Sequence, residues 1–119
     1  MTATLFYTLE GREPRALEGD QVVAALTWAK WFDNGDRRVC RSGVGRYSVR
    51  TDFLGLDMSY GYGRPLLFET MVFVPPGAED AVPPSRRYAT WEEAERGHAA
   101  VVAELETFLK RWGRYTGEE

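Results

Sequence analysis

The chain has 119 residues, a formal net charge of -3 and a single cysteine, Cys40, and these totals exclude several classes of protein. A chain of this length forms one domain with one core, and one cysteine excludes an intrachain disulfide. We therefore expect a single domain over residues 1–119 in a reducing cytoplasm, with no signal peptide and no membrane span. The acidic total argues against general nucleic-acid binding.

The residues before the first helix predict one strand. Side chains alternate between apolar and other residues over Ala3–Leu9, and Gly11 marks a turn after it. Pro14 limits any second pairing here, because proline cannot donate to a β-ladder.

The first helix is predicted from its ends and from its apolar spacing. Asp20 is a suitable N-cap for a helix that runs to about Asp33, and Gly35 follows as a stop in the left-handed conformation. Trp31 falls on roughly the opposite side from the apolar face, so we expect it to be an exposed aromatic available to a partner. The face expected to be buried consists of Val22, Ala25, Leu26, Ala29 and Phe32.

Two strands and a flexible loop are predicted in the middle of the chain. The strands cover Arg37–Ser42 and Arg46–Leu56, and a three-residue hairpin connection, Gly43-Val44-Gly45, joins them. Six arginines between residues 37 and 64 face only two aspartates, a local balance of +4 (6 minus 2). Successive side chains of the longer strand alternate between a buried face and a solvent face. The expected buried face holds Tyr47, Val49, Thr51 and Phe53.

The most apolar stretch, Pro65–Val74, predicts a central strand that is buried on both faces. Glu69 is its one anomaly, because a carboxylate in such a place needs a partner. By period two, Glu69 shares a face with Leu67, Met71 and Phe73. The prolines of residues 75–87 then predict a surface loop.

A capping box at Thr90 and Glu93 opens the last helix, which we expect to end near Arg111 or Trp112 with Gly113 as the stop. Its apolar sector is about 120° wide when residues are placed 100° apart. That sector contains Trp91, Ala94, His98, Val101, Val102, Leu105, Phe108, Leu109 and Trp112.

Together these elements predict an α+β fold in the order β-α-β-β-β-α. We expect a two-layer sandwich, with a mostly antiparallel four-stranded sheet and both helices on one face. The first strand should join an edge of this sheet. The other sheet face is left less covered, so a homodimer formed through it is one option.

Three stretches of the chain carry distinctive motifs, namely VRTDFLGLD at Val49–Asp57, PLLFETMVF at Pro65–Phe73 and YATWEEAERGH at Tyr88–His98. With a Trp-Ala-x-Trp-Phe element at Trp28–Phe32, they resemble an uncharacterised family of small proteins from phage and prophage genomes of high-GC bacteria. The resemblance spans about residues 5–105 and implies an origin more than an activity. Members often have Leu-Asp-His where this chain has Leu56-Asp57-Met58, so a second histidine is absent here.

His98 is the only histidine, and the sequence leaves two interpretations of it open. It is either a base or ligand that reaches the sheet, or a core histidine hydrogen-bonded to Glu69, a tyrosine or backbone. Glu69 and His98 would form an acid-base couple if their faces meet, and Asp57 either joins them or forms an Asx-type turn. One histidine with two acids is a weak metal signal, so we expect neither a metal nor a cofactor.

The loop that carries Tyr60, Tyr62 and Arg64 is either an ordinary surface loop or a partner contact, because its amphipathic side chains are typical of interfaces. The arginines of residues 37–50 with Tyr47 have the mixture found in single-strand binders, but the acidic total argues against it. Cys40 is expected to be structural, since no second cysteine accompanies it.

Two functional hypotheses follow. The first is a small non-catalytic phage-type accessory protein that binds a host or phage protein through Tyr60, Tyr62, Arg64 and Trp31. The alternative is a small enzyme or ligand-binding module that uses Glu69, His98 and Asp57 at the seam between sheet and helix. The enzyme needs a pocket of several hundred Å³ at that seam.

Overall fold

The computed structural model describes residues 5–77 and 84–116, with side chains as far as residue 111. Within these ranges the class is α+β, as the sequence predicts. Residues 3–4 of the expected first strand, 78–83 of the expected loop and the side chain of Trp112 lie outside this description. The elements are β1 Tyr7–Glu10, β2 Glu13–Ala16, α1 Gln21–Asn34, β3 Arg38–Val44, β4 Tyr47–Phe53, β5 Phe68–Phe73, β6 Arg86–Tyr88 and α2 Trp91–Thr116.

The main sheet is antiparallel throughout, with the strand order β3-β4-β5-β6. β3 and β4 form a hairpin in which Val44 pairs with Tyr47, so the connection is the two-residue turn Gly45-Arg46. Gly45 has φ +61, a conformation that glycine adopts without strain. The predicted three-residue connection is therefore wrong, because Gly43 belongs to β3.

Two strands depart from the predicted order. β6 begins within the stretch that was expected to be a loop, and it pairs with Phe68–Thr70 of β5. β1 does not join the main sheet; it forms a separate hairpin with β2, in which Pro14 lies opposite Leu9. An isolated bridge between Phe6 and Leu56 connects the hairpin to the end of the main sheet.

α1 begins at the predicted N-cap, where the Asp20 carboxylate accepts hydrogen bonds from the amides of Val22 and Val23. α1 ends at Asn34 with Gly35 as its C-cap, as predicted, but Gly35 has φ -80, so the predicted left-handed conformation is wrong. The predicted buried face is wrong at Val22 and Leu26, which are exposed, whereas its Phe32 is half-buried. Large aromatic side chains gain most from burial, and the inward face accordingly carries Ala24, Trp28, Trp31 and Phe32.

α2 covers one face of the main sheet through its predicted apolar sector. Its capping box forms in part: Glu93 donates its amide to Thr90 Oγ1, but the Glu93 carboxylate accepts from the amide of Ala89, one residue earlier than predicted. The helix continues through Gly113 to Thr116, so the predicted stop is wrong. α1 reaches the same side of the sheet through Trp31, which meets Phe53 edge to face at 5.7 Å.

The core under α2 is divided into two apolar clusters. One lies toward the β3–β4 turn and contains Val44, Tyr47, Val49, Val101 and Leu105. The other lies toward the N-terminal end of α2 and contains Phe53, Leu67, Phe68 and Ala94. His98 falls between them along the helix, and its surroundings decide whether it can be functional.

Candidate functional site

His98 is enclosed in the interface between α2 and the main sheet, with 5% of its surface exposed. Its Nε2 lies 2.8 Å from Ser42 Oγ on β3, and its Nδ1 lies 2.8 Å from Thr51 Oγ1 on β4. It is therefore the hydrogen-bonded core histidine of the second interpretation. Its partners are hydroxyl groups rather than Glu69, a tyrosine or backbone.

The hydrogen bonds continue across the sheet from Thr51 to Thr70 and from Thr70 to Tyr88. We call Ser42, Thr51, Thr70, Tyr88 and His98 the polar layer. Tyr88 donates to Thr70 Oγ1. If each hydroxyl then donates to the next group, Thr51 donates to Nδ1 and the proton of the neutral ring resides on Nε2, which donates to Ser42 Oγ. Each group of the polar layer thus has a partner inside the fold.

Ser42 and His98 have the spacing of a nucleophile and its base. In the tautomer that carries the proton on Nε2, this nitrogen donates to Ser42, and the ring then cannot take the serine proton. Burial lowers the pKa of His98 from its usual 6.5, and the positive charge of Arg41 lowers it further. The polar layer fixes the position of α2 on the sheet, since any shift would leave buried polar groups unpaired.

We expect the stability of the fold to fall as the pH drops below about 6.5, the usual pKa of histidine. The unfolded chain takes up a proton there while folded His98 stays neutral, so stability is fully present above this value and is lost toward the lower folded pKa. Urea unfolding should therefore give a lower free energy of unfolding at pH 5.5 than at pH 7.5. The variant His98→Gln should lose that component of the pH dependence, and an unchanged dependence would contradict the assignment.

Glu69 lies on the outer face of the main sheet, away from α2. Its carboxylate accepts from Arg87 Nε at 3.2 Å on the neighbouring strand. The predicted pairing of Glu69 with His98 is wrong because Phe68 and Thr70 take the inward positions of β5. The strand is consequently buried on one face, with Met71 43% exposed on the other.

Asp57 braces the loop that connects β4 to β5. Its Oδ1 accepts from the amide of Ser59 at 2.8 Å and from the amide of Leu66 at 3.1 Å, near the two ends of that loop. Burial alone would raise the pKa of Asp57, but these hydrogen bonds outweigh it and hold the pKa below its usual value. Asp57 is thus the turn residue of its alternative interpretation, and it does not converge with Glu69 and His98.

The loop held by Asp57 presents two tyrosines to solvent. Tyr60 is 77% exposed and Tyr62 is 84% exposed, and Tyr60 is the only non-glycine residue with positive φ, +56, in the described chain. Arg64 donates to the Glu93 carboxylate at 2.9 Å, which ties the loop to the first turn of α2. Trp31 was expected beside these aromatics as a partner contact, but its ring packs on Phe53.

A cleft of about 490 Å³ opens beside this loop, at the N-terminal end of α2. It lies on the surface, not at the seam where the enzyme hypothesis needs a pocket. Its lining residues are Tyr62, Arg64, Leu66, Arg87, Tyr88, Ala89, Glu93 and Arg96. We call it the arginine cleft.

The described ranges give little support to a reactive cysteine or a metal site. Burial and the negative charge of Glu95 raise the pKa of the Cys40 thiol, which disfavours a reactive thiolate. Within residues 5–77 and 84–111, we find no group of three or more His, Cys, Asp or Glu side chains that could hold a metal. No helix in the described part is long and apolar enough to cross a membrane.

Comparisons with family models, with curated proteins and with solved structures find no match to this chain.

Sequence reasoning missed several residues of these sites. Thr51 was placed on the buried face of its strand, and the same parity in β5 would have put Thr70 beside it. Two inward threonines facing a helical histidine are a usable signal for a buried polar layer. Arg87 and Arg96 carried no such signal, because β6 was unrecognised and Arg96 has the spacing of an ordinary solvated helix position.

Proposed function

We propose that this chain is a small non-catalytic accessory protein of phage type that acts in the cytoplasm by binding a protein partner. Its contact surface is the loop with Tyr60, Tyr62 and Arg64. The observation that carries the proposal is the outward presentation of two tyrosines from a loop whose backbone is braced by Asp57. The phage-type origin rests on the resemblance of the sequence motifs, and the cytoplasmic location rests on the lone cysteine.

The geometry of the loop supports binding because it lowers the cost of ordering. Tyrosine supplies a large amphipathic contact area with few rotatable bonds and is enriched among residues that dominate binding energy. Asp57 and the Arg64–Glu93 ion pair hold the loop at both ends. The positive φ of Tyr60 is a strained conformation of the kind that clusters at ligand contacts.

No observation favours the alternative of an enzyme that uses Glu69, His98 and Asp57. Glu69 is on the outer sheet face, His98 is enclosed beneath the inner face, and Asp57 holds a turn. A reaction needs its acid and base within hydrogen-bond reach of one substrate. We therefore retain a single candidate function.

The test is capture of the partner followed by reconstitution with purified components. The tagged full chain and a Tyr60→Ser/Tyr62→Ser variant are used as baits in lysate of an infected host, and captured proteins are identified by mass spectrometry. The purified partner should bind the wild type, and the variant should bind at least about tenfold more weakly, as loss of an aromatic hot spot predicts.

A matched control removes an exposed aromatic from another surface. Phe73 is 42% exposed on the outer sheet face, so Phe73→Ser should leave partner binding unchanged. The proposal fails if the tyrosine variant binds as tightly as the wild type. Sedimentation of the same three proteins distinguishes a homodimer formed through the outer sheet face, which Phe73→Ser would weaken.

A further inference from the structure

The arginine cleft gathers three guanidinium groups in a chain whose net charge is negative. Arg64, Arg87 and Arg96 line it, against Glu93 in its lining and Glu69, which pairs with Arg87, a local balance of +1 (3 minus 2). The whole chain carries -3. Such a reversal of sign makes the cleft attractive to anions approaching an otherwise repulsive molecule.

The three arginines differ in how far their charge is already used. Arg64 is paired with Glu93 at 2.9 Å and Arg87 with Glu69 at 3.2 Å, so both side chains are held in place. Arg96, by contrast, is exposed and makes no ion pair with any residue in the described ranges. Among the arginines that line the cleft, Arg96 is therefore the one without an ion pair to a described residue, and the other two are already paired.

The floor of the cleft is rigid. The Tyr88 ring lies directly against Gly97 of α2, where a Cβ on the glycine would come within 2.2 Å of the ring. The Tyr88 hydroxyl donates to Thr70 in the polar layer. Tyr62 lines the cleft as well, and it is 84% exposed. A ligand would thus meet an aromatic wall and a fixed aromatic floor beside the guanidinium groups.

A second group of three arginines lines another surface depression of the same chain. Arg37, Arg38 and Arg41 line a surface depression of about 440 Å³. Arg38 pairs with Asp36, Arg41 pairs with Asp52 at 2.6 Å, and the Arg37 guanidinium lies over the Phe32 ring at 3.7 Å. Arg38 and Arg41 there are thus occupied by carboxylates, whereas Arg37 is held against an aromatic ring and its buried Nε has no hydrogen-bond partner.

We infer that the partner places an acidic peptide segment in the arginine cleft, with a carboxylate on Arg96 and a neighbouring side chain against Tyr62. This inference rests on the proposed function, because Tyr62 and Arg64 belong to both the loop and the cleft. Guanidinium groups bind carboxylates through two parallel N–H···O bonds, and flanking tyrosines stack on the rest of the segment. The cleft is large enough for a few side chains.

The experiment uses the full chain and a fluorescein-labelled hexaglutamate peptide as the probe, with binding followed by fluorescence anisotropy at low ionic strength. Hexaglutamate should bind, hexaglutamine should not, and added salt should weaken the complex. Arg96→Glu should weaken binding at least about tenfold, because it replaces the unpaired cation by an anion. Arg38→Glu makes the same change of charge in the second depression and should have less than about a threefold effect.

Equal effects of Arg96→Glu and Arg38→Glu would overturn the inference, as would the absence of binding. Free glutamate is a further arm: displacement of the peptide by free glutamate at similar concentration would mean a small-anion site and would also overturn it. The partner reconstitution separates the two proposals. If binding of the partner depends on Tyr60 and Tyr62 but not on Arg96, the proposed function stands and the inference of an acidic segment in the cleft is wrong.

Discussion

Replacing Gly55 by alanine should lower the free energy of unfolding by about 3 kcal/mol. Gly55 has φ +77, which costs an L-residue roughly 1–2 kcal/mol. An added Cβ would also lie 2.4 Å from Trp28 Nε1 and 3.1 Å from the Tyr7 carbonyl oxygen. Relieving that crowding must move α1 or β1, at a further cost of about 1–3 kcal/mol. Urea unfolding followed by tryptophan fluorescence measures the loss.

Gly11 provides the matched control. It has φ +66 but nothing within 4 Å of an added Cβ, so Gly11→Ala should cost only the conformational part, about 1 kcal/mol. Equal losses at Gly11 and Gly55 would mean that the Trp28 ring does not lie against Gly55.

Phe68→Ala should destabilise the fold by about 3–5 kcal/mol, the usual cost of deleting a buried phenylalanine ring. Phe68 is fully buried, with its ring edge to face against Phe53 at 5.2 Å and against Trp91 at 6.2 Å. Its loss opens a cavity where β5, β4 and α2 meet. Chemical denaturation of the purified variant gives the value directly.

Met71 tests the one-sided burial of the same strand. It lies three residues further along β5, on the outer face, so Met71→Ala should cost less than about 1 kcal/mol. A loss at Met71 as large as that at Phe68 would restore the sequence prediction that both faces are buried.

The one-sided burial of β5 shows where sequence patterns stop being informative. Both parities of the stretch are apolar, since Phe68 and Val72 face α2 while Met71 and Phe73 face outward. Arg50 lies over the outer Phe73 ring at 4.4 Å and covers part of it. The sequence therefore predicts the strand, but the choice of inner face depends on contacts with α2.

α1 presents the same ambiguity on a helix. Residues 21–29 contain no charged side chain, so apolar spacing alone does not distinguish two faces. Tertiary contacts determine which face of α1 is buried. Trp28 packs against Phe6, next to the hairpin of β1 and β2, and Trp31 packs against Phe53. β6 was missed for a different reason, because three residues are too few for a period to be recognised.

The features that could be predicted are those set by neighbouring residues. The Asp20 cap, the Thr90 and Glu93 contact, the alternation of β4 and the apolar sector of α2 all form. The exposed tyrosines of the loop follow from its glycines and polar neighbours. By contrast, the arginine cleft joins residues from a loop, a strand and a helix, and only the folded chain brings them together.

The central claim is that the only histidine belongs to the interior, so function must be sought on the surface. Nitrogen-detected NMR of His98 tests it most directly, because a single imidazole gives an unambiguous signal. We expect a neutral ring with the proton on Nε2 and a midpoint of titration below 6.5. A ring that titrates at or above 6.5 and is protonated on Nδ1 would contradict the account and return His98 to the list of catalytic candidates.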